Sequence, residues 1–145
     1  RRVSIPEAEK FEGRPLVLVA DDETHIRLVV VSKLRSAGAE VVEARDGAEA
    51  LTRARERRPD LVITDLQMPH LSGLELAQAL MTDARTAGVP VLMLTARGYS
   101  LSDDQVRGAS ILELMSKPFG ARELLRRAVL LLKRSTSGAS NLEAA

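Results

Sequence analysis

The chain contains no cysteine and no tryptophan, and aromatic residues make up only 2% of its 145 residues. The lack of cysteine excludes a disulfide framework and a thiolate metal site, and it suits a reducing compartment such as the cytoplasm. With so few aromatic residues, the core must be aliphatic. No apolar run approaches the ~20 residues that span a membrane. The polar start, Arg1–Pro15, also lacks the apolar segment of a signal peptide, so we expect no membrane attachment.

The chain also lacks a surplus of charge of either sign. Charged residues make up 28% of the sequence, but the formal net charge is only +1. A protein that binds nucleic acid through its overall field needs a basic surplus, so we expect no direct nucleic acid binding by this segment. The length and the 45% hydrophobic content are typical of one soluble globular domain.

Four short apolar runs are each followed directly by polar residues that could form a site. The runs LVLVA, LVIT, VLML and ILELM precede Asp21-Asp22, Asp65, Thr95-Ala96 and Ser116-Lys117-Pro118. Apolar runs without alternation are typical of strands buried on both faces of a parallel sheet. Ligands bind such sheets at the carboxyl ends of the strands, so these polar groups should converge. Carboxylates there suit Mg2+, and the hydroxyl and ammonium groups suit a phosphoryl group.

Helical patterns alternate with these runs and with a further strand at Glu40–Ala44, which predicts an α/β fold. The first helix should end at Gly38, and acidic or hydroxyl caps at Asp46, Ser72 and Ser102 should open three later helices. The residues expected on the buried face of the first helix are Ile26, Val29, Val30, Leu34 and Ala37. We divide the chain into an N-terminal extension (1–15), one domain (16–134) and a C-terminal tail or linker (135–145).

The motifs taken together resemble one known family. Leu16–Asp22, Val62–Pro69, Ser72–Glu75, Leu94–Ala96 and Lys117–Phe119 match, in order, the motifs of the receiver domain of bacterial two-component response regulators, including the chemotaxis regulators. The resemblance covers about Leu16 to Arg134. It implies a flavodoxin-like (βα)5 fold, doubly wound around a five-stranded parallel sheet of order 2-1-3-4-5.

The resemblance also implies roles for individual residues. Asp65 would be the phosphoacceptor, taking a phosphoryl group from a sensor histidine kinase or a phosphotransfer protein. Mg2+ or Mn2+ would be held by Asp21, Asp22, Asp65 and the backbone carbonyl of Gln67. The phosphoryl oxygens would be bound by Lys117, Thr95 and the backbone of Ala96. The chain would then be a cytoplasmic signalling domain rather than an enzyme.

Two further positions bear on the lifetime of the acyl phosphate. In the family, the residues two after the phosphoacceptor and two after the threonine influence hydrolysis, and here these are Gln67 and Arg97. Arg97 could reach over the phosphoryl oxygens and hinder an attacking water molecule. We therefore expect Arg97→Ala to hydrolyse faster in a phosphate-release assay.

The output surface departs from the family pattern. Leu114 replaces the usual switch aromatic, so the helix 4–strand 5–helix 5 face should respond only weakly to phosphorylation. That face is a common site for homodimers and partner proteins. Glu113, Glu123 and Arg127 match charged positions of the dimerising members, whereas Asp103 and Ala109 do not. Helix five should bury Leu124, Leu125, Ala128, Leu131 and Leu132, leaving Val129 and Leu130 toward the flank or solvent.

Three alternatives fit the sequence less well. A haloacid-dehalogenase-like phosphatase would need a second aspartate where Gln67 stands. A nucleotide-binding Rossmann domain would need a glycine-rich turn where Ala20–Glu23 stands. A degenerate receiver that only binds partners is disfavoured because the acceptor, metal and lysine positions are all intact.

Overall fold

The computed structural model describes residues 10–96 and 101–144, with backbone only for 135–144. Five parallel strands form one sheet in the order β2-β1-β3-β4-β5, as predicted. The strands are β1 (Leu16–Ala20), β2 (Glu40–Ala44), β3 (Leu61–Asp65), β4 (Val91–Thr95) and β5 (Ile111–Ser116). The helices are α1 (Thr24–Ser36), α2 (Gly47–Glu56), α3 (Gly73–Thr82), α4 (Asp103–Arg107) and α5 (Ala121–Ala144). The flavodoxin-like fold is therefore confirmed.

The core consists of two aliphatic layers, one on each face of the sheet. Side chains of β1 alternate between them: Val17 and Val19 join the layer under α1 and α5, and Leu18 and Ala20 join the layer on the opposite face. Every residue of β1, β3 and β4 is buried, which explains why these strands read as unbroken apolar runs. No helix in the described part of the chain is long and apolar enough to cross a membrane.

The predicted helix signals act as expected. Asp46 accepts a hydrogen bond from the Glu49 amide at 2.8 Å. Ser72 and Ser102 each form a reciprocal capping box with the residue three positions later. Gly38 follows α1 with φ +104°, a left-handed conformation that favours glycine.

Two helices bury most of the residues predicted for their inner faces and differ from the prediction only at valine positions. In α1, Val31 is buried and Val29 is 57% exposed. Arg27 is also buried on this face, where it donates to the Asp21 carbonyl. In α5, Val129 is buried, contrary to prediction, and Leu130 is exposed as predicted. The buried face of α5 is wider because this helix contacts α1 as well as the sheet.

Ordered structure continues beyond both ends of the predicted 16–134 segment. Phe11, placed in the N-terminal extension by the sequence, is buried in the layer under α1 and α5, and its amide donates to the Ala37 carbonyl at 3.0 Å. At the other end, α5 continues to Ala144 instead of ending at Arg134. No proline follows Arg134 to stop the helix.

Within the described residues, β2 and β5 are the outer strands, and no further strand pairs with either edge of the sheet. The β4–β5 register shifts between Val91 and Leu92, and their partners on β5 are Ile111 and Glu113. Leu112 lies between these partners and is 54% exposed. On the β2 edge, Glu40 pairs with Arg57, and Glu43 pairs with Arg27.

Candidate functional site

The polar residues predicted to converge lie together at the carboxyl edge of the sheet. Asp65 and Thr95 are the last residues of β3 and β4, rather than the first residues after them. Asp21 and Asp22 directly follow β1, which lies beside β3. Lys117 follows β5, and its amide donates to the Thr95 carbonyl at 2.7 Å. The carboxyl ends of four strands, β1, β3, β4 and β5, thus bring together residues that are far apart in sequence.

Three carboxylates form the centre of the site. Ligand oxygens of Asp21, Asp22 and Asp65 all lie within 4.8 Å of one another. Asp21 and Asp65 are buried, with 1% and 5% of their surfaces exposed, whereas Asp22 is open to solvent. The donor set is therefore all oxygen, with one carboxylate accessible from solution, which fits Mg2+ or Mn2+.

The two buried carboxyl groups lie in an environment that disfavours their negative charge. Burial raises the pKa of Asp65 above its usual value, and the nearby charge of Asp21 raises it further. Burial also raises the pKa of Asp21, although its hydrogen bond from the Glu23 amide and the charge of Lys117 oppose this. A divalent cation would remove the repulsion among these groups, so the electrostatics agree with the donor set.

Lys117 supplies the positive charge of the site. Its Nζ lies 3.3 Å from Asp21 Oδ2 and 3.4 Å from Asp65 Oδ1. Burial lowers the pKa of this amine, but the Asp21 and Asp65 carboxylates outweigh that effect, and the pKa lies above its usual value. The Lys117–Pro118 peptide is cis. A third contact, to Glu23 Oε1 at 3.2 Å, was not predicted; the position of Glu23 directly after the aspartate pair was the available signal.

The remaining predicted positions surround this centre. The Thr95 hydroxyl is buried and donates to the Met115 carbonyl at 3.4 Å, and Ala96 follows it half-buried. Gln67 is exposed and lines a cleft together with Asp22. Its neutral amide is no general acid, which leaves the phosphatase alternative without support. Arg97 lies outside the described residues, and its effect on hydrolysis stays a prediction.

The residues expected to form the output face lie on β5 and α5. Leu114 is half-buried and packs against the core layer on the face of the sheet covered by α2 and α3. Arg127 lies 2.6 Å from Glu113 and 3.1 Å from Glu123, so these charges pair within the chain. The pKa of Arg127 is raised, chiefly by its hydrogen bond to Glu123. Leu130 is 46% exposed beside them.

Two residues that contact the site backbone, Gly73 and Arg27, were not predicted from the sequence. A Cβ on Gly73 would lie 2.2 Å from the Asp65 carbonyl oxygen, so only glycine lets α3 begin this close to β3. Arg27 is buried and donates to the Asp21 carbonyl at 2.7 Å. The packing role of Gly73 is hidden in the sequence because Ser72–Glu75 already reads as a capping box. The available signal for the role of Arg27 was a lone arginine within the apolar pattern of the first helix.

Comparisons with known proteins agree with this geometry. Residues 17–129 match the family model described as response regulator receiver domain. The phosphate regulon transcriptional regulatory protein PhoB of Pseudomonas aeruginosa is 36% identical over 126 residues, which cover 86% of this chain and 54% of that protein. The transcriptional regulatory protein PrrA of Mycobacterium tuberculosis is 42% identical over 129 residues, covering 88% and 54%. The chain thus spans about half the length of the curated relatives it matches.

A solved structure gives the same result for the fold. The chemotaxis response regulator CheY4 of Vibrio cholerae has a TM-score of 0.74 and 32% sequence identity to this chain. The match covers 83% of this chain and 99% of that one.

Proposed function

Because this chain belongs to the response regulator receiver domain family, we propose that it accepts a phosphoryl group on Asp65 in a Mg2+-dependent reaction. The observation that carries this proposal is the Lys117 amine, which contacts the Asp65 carboxylate and the adjacent Asp21 carboxylate at the carboxyl edge of the sheet. We assign the receiver function to residues 16–134, with Phe11 completing its core.

The phosphoryl donor is a phosphohistidine of a sensor histidine kinase or a phosphotransfer protein in the cytoplasm. A carboxylate oxygen of Asp65 attacks phosphorus, and the new O–P bond forms as the P–N bond to the donor breaks. The departing imidazole keeps the electron pair of that bond and takes up a proton from solvent. The product is an aspartyl phosphate, so the chain carries the signal as a modified protein and releases no small-molecule product.

The carboxylates of Asp21, Asp22 and Asp65, together with the Gln67 carbonyl, would hold the divalent cation. When bound, the cation supplies positive charge against the phosphoryl oxygens. Lys117 must exchange one of its present carboxylate contacts for a phosphoryl oxygen. The Thr95 hydroxyl must leave the Met115 carbonyl to donate to another oxygen, and the Ala96 amide is placed to serve the same group.

Output passes through the α4–β5–α5 face. The relatives named as transcriptional regulators are about twice as long as the matched segment, which supports a further output region in the intact protein here. Leu130 and the surrounding charges form the contact surface for a second copy or a downstream protein. Since Arg127 already pairs with both Glu113 and Glu123, and Leu114 replaces the aromatic, this contact depends weakly on phosphorylation.

Intact-mass spectrometry after treatment with acetyl phosphate and Mg2+ tests the assignment. The parent chain should gain one acid-labile phosphoryl group, and Asp65→Asn or added EDTA should abolish the gain. Asp60→Asn is the matched control, because Asp60 precedes the other end of β3 and accepts a hydrogen bond from the Leu16 amide. Uptake by Asp65→Asn, or undiminished uptake in EDTA, would refute the assignment.

A further inference from the structure

Arg27 is a buried cation that lies against the acidic turn, the segment Asp21–Glu23 between β1 and α1. Only 8% of its surface is exposed, although it belongs to α1, a helix whose neighbouring residues Leu28 and Val29 face solvent. A buried guanidinium is tolerated only where its donors are satisfied. Here Nη1 donates to the Asp21 carbonyl at 2.7 Å, and Nε donates to Glu43 Oε1 at 3.2 Å. One side chain therefore ties the turn after β1 to the edge strand β2.

The contact with Arg27 completes a set of four restraints on Asp21. The backbone amide of Asp21 donates to the Ala44 carbonyl at 3.2 Å, and its carbonyl accepts from Arg27. Its side chain accepts from the Glu23 amide at 2.9 Å and contacts Lys117 Nζ at 3.3 Å. The backbone of Asp21 is thus held on both sides, and Asp22 continues directly from that fixed peptide toward solvent.

We propose that Arg27 is a positioning residue for divalent cation binding: it fixes the Asp21 carbonyl so that the carboxylates of Asp21 and Asp22 stay beside Asp65. The inference rests on the function proposed above. The side chain acts through the backbone, because its donors reach a carbonyl and Glu43 rather than the carboxylates of the site. Outer partners that hydrogen-bond metal ligands directly typically change metal affinity by about 10- to 100-fold when they are removed, and a partner that acts through the ligand's backbone belongs at the lower end of that range.

Lysine cannot replace arginine in this role. The guanidinium presents donors in a planar fork, which lets Arg27 reach the carbonyl and Glu43 in different directions from one side chain. A lysine ammonium would keep the charge and most of the apolar stem but concentrate its donors at one atom. Arg27→Lys therefore removes the two-sided attachment with little change in charge or volume.

The same helix provides a matched control. Arg35 also belongs to α1 and also bonds to β2, with its Nη2 donating to the Val41 carbonyl at 3.2 Å. Arg35 is exposed and lies near the end of α1, whereas Arg27 lies in its first turns. Arg35→Lys makes the same chemical change to a link between α1 and β2, at a position far from the acidic turn.

The test is a Mn2+ titration of the whole chain, followed by electron paramagnetic resonance of the free ion. Arg27→Lys should bind Mn2+ about tenfold more weakly than the parent, and Arg35→Lys should stay within about twofold. Because the defect lies in cation affinity, saturating Mg2+ should restore the initial rate of phosphorylation by acetyl phosphate in Arg27→Lys. Circular dichroism establishes that each variant is folded at the temperature of the titration.

Unchanged affinity in Arg27→Lys would overturn the proposal, and so would an equal loss in both variants, because that would indicate only a general loosening of α1. If Arg27→Lys does not fold, Glu43→Ala takes its place, because it removes the carboxylate that Arg27 Nε bonds. This variant should bind Mn2+ about threefold more weakly than the parent, and unchanged affinity would again refute the role. A parent chain that binds no Mn2+ would refute the proposed function as well, which separates the two failures.

Discussion

Gly73 offers a sharp test of how closely α3 approaches the phosphoacceptor strand. A Cβ added at this position would lie 2.2 Å from the Asp65 carbonyl oxygen and 2.8 Å from Met93 Sδ. Ordinary contact requires a separation of about 3.5 Å, so the backbones must move apart by roughly 1 Å. The sulfur can turn aside, but β3 is held between β1 and β4. The start of α3 must therefore move outward.

The expected cost of Gly73→Ala follows from two opposing effects. Overpacking of this kind costs about 1–3 kcal/mol, and the higher helix propensity of alanine returns at most about 1 kcal/mol. We expect the free energy of unfolding to fall by about 2 kcal/mol in urea titrations monitored by circular dichroism. The rate of phosphorylation should fall as well, because the start of α3, which packs directly against the Asp65 carbonyl, is the part that moves.

Gly120→Ala is the control for this substitution. A Cβ at Gly120 meets no atom within 4 Å, so its stability should stay within about 0.5 kcal/mol of the parent. A Gly73→Ala protein as stable and as readily phosphorylated as Gly120→Ala would show that α3 does not constrain Asp65.

Three further predictions concern charge, the output face and the N-terminal segment. Without metal, Asp65→Asn should be more stable than the parent at pH 7, because burial raises the pKa of Asp65 and the ionised form is penalised only in the folded state. The difference should shrink as pH falls through that raised pKa, and a difference that grows on acidification would contradict the sign. Light scattering should show that Leu130→Glu reduces self-association, with little change on adding beryllofluoride; a large beryllofluoride-dependent shift would refute the weak coupling assigned to Leu114. Phe11→Ala should lower the free energy of unfolding by about 3 kcal/mol, whereas a change at the exposed Glu12 should have little effect, and equal stabilities would remove Phe11 from the core.

The strands and the site could be predicted because their signals are local. An unbroken apolar run indicates a strand buried on both faces, and a polar residue at its end falls at the ligand edge for purely topological reasons. Asp65, Thr95 and Lys117 required nothing more than this to be placed side by side. Caps such as Ser72 are equally local, because all their hydrogen-bonding partners lie within one turn.

The features that the sequence did not reveal depend on distant partners. Hydrophobic periodicity placed Val29 on the buried face of α1 because it treats Arg27 as a solvent-facing residue. The burial of Arg27 is possible because its guanidinium bonds Glu43 and the Asp21 carbonyl. Phe11 lies in a stretch without periodicity, and its place in the core depends on the end of α1. Glu23 reaches Lys117 across 94 positions of sequence, so its place beside the aspartate pair hints at the site but does not identify this partner.

The two open edges of the sheet differ in how well they resist the addition of a foreign strand. Exposed edges are templates for aggregation unless charge or irregularity blocks them. The β2 edge carries the ion-paired Glu40 and Glu43, a row of charge that an approaching strand would have to desolvate. The β5 edge relies on its irregular register and presents the exposed Leu112. At high protein concentration, the β5 edge is therefore the one from which intermolecular sheet growth would begin, and a lysine at position 112 would protect it.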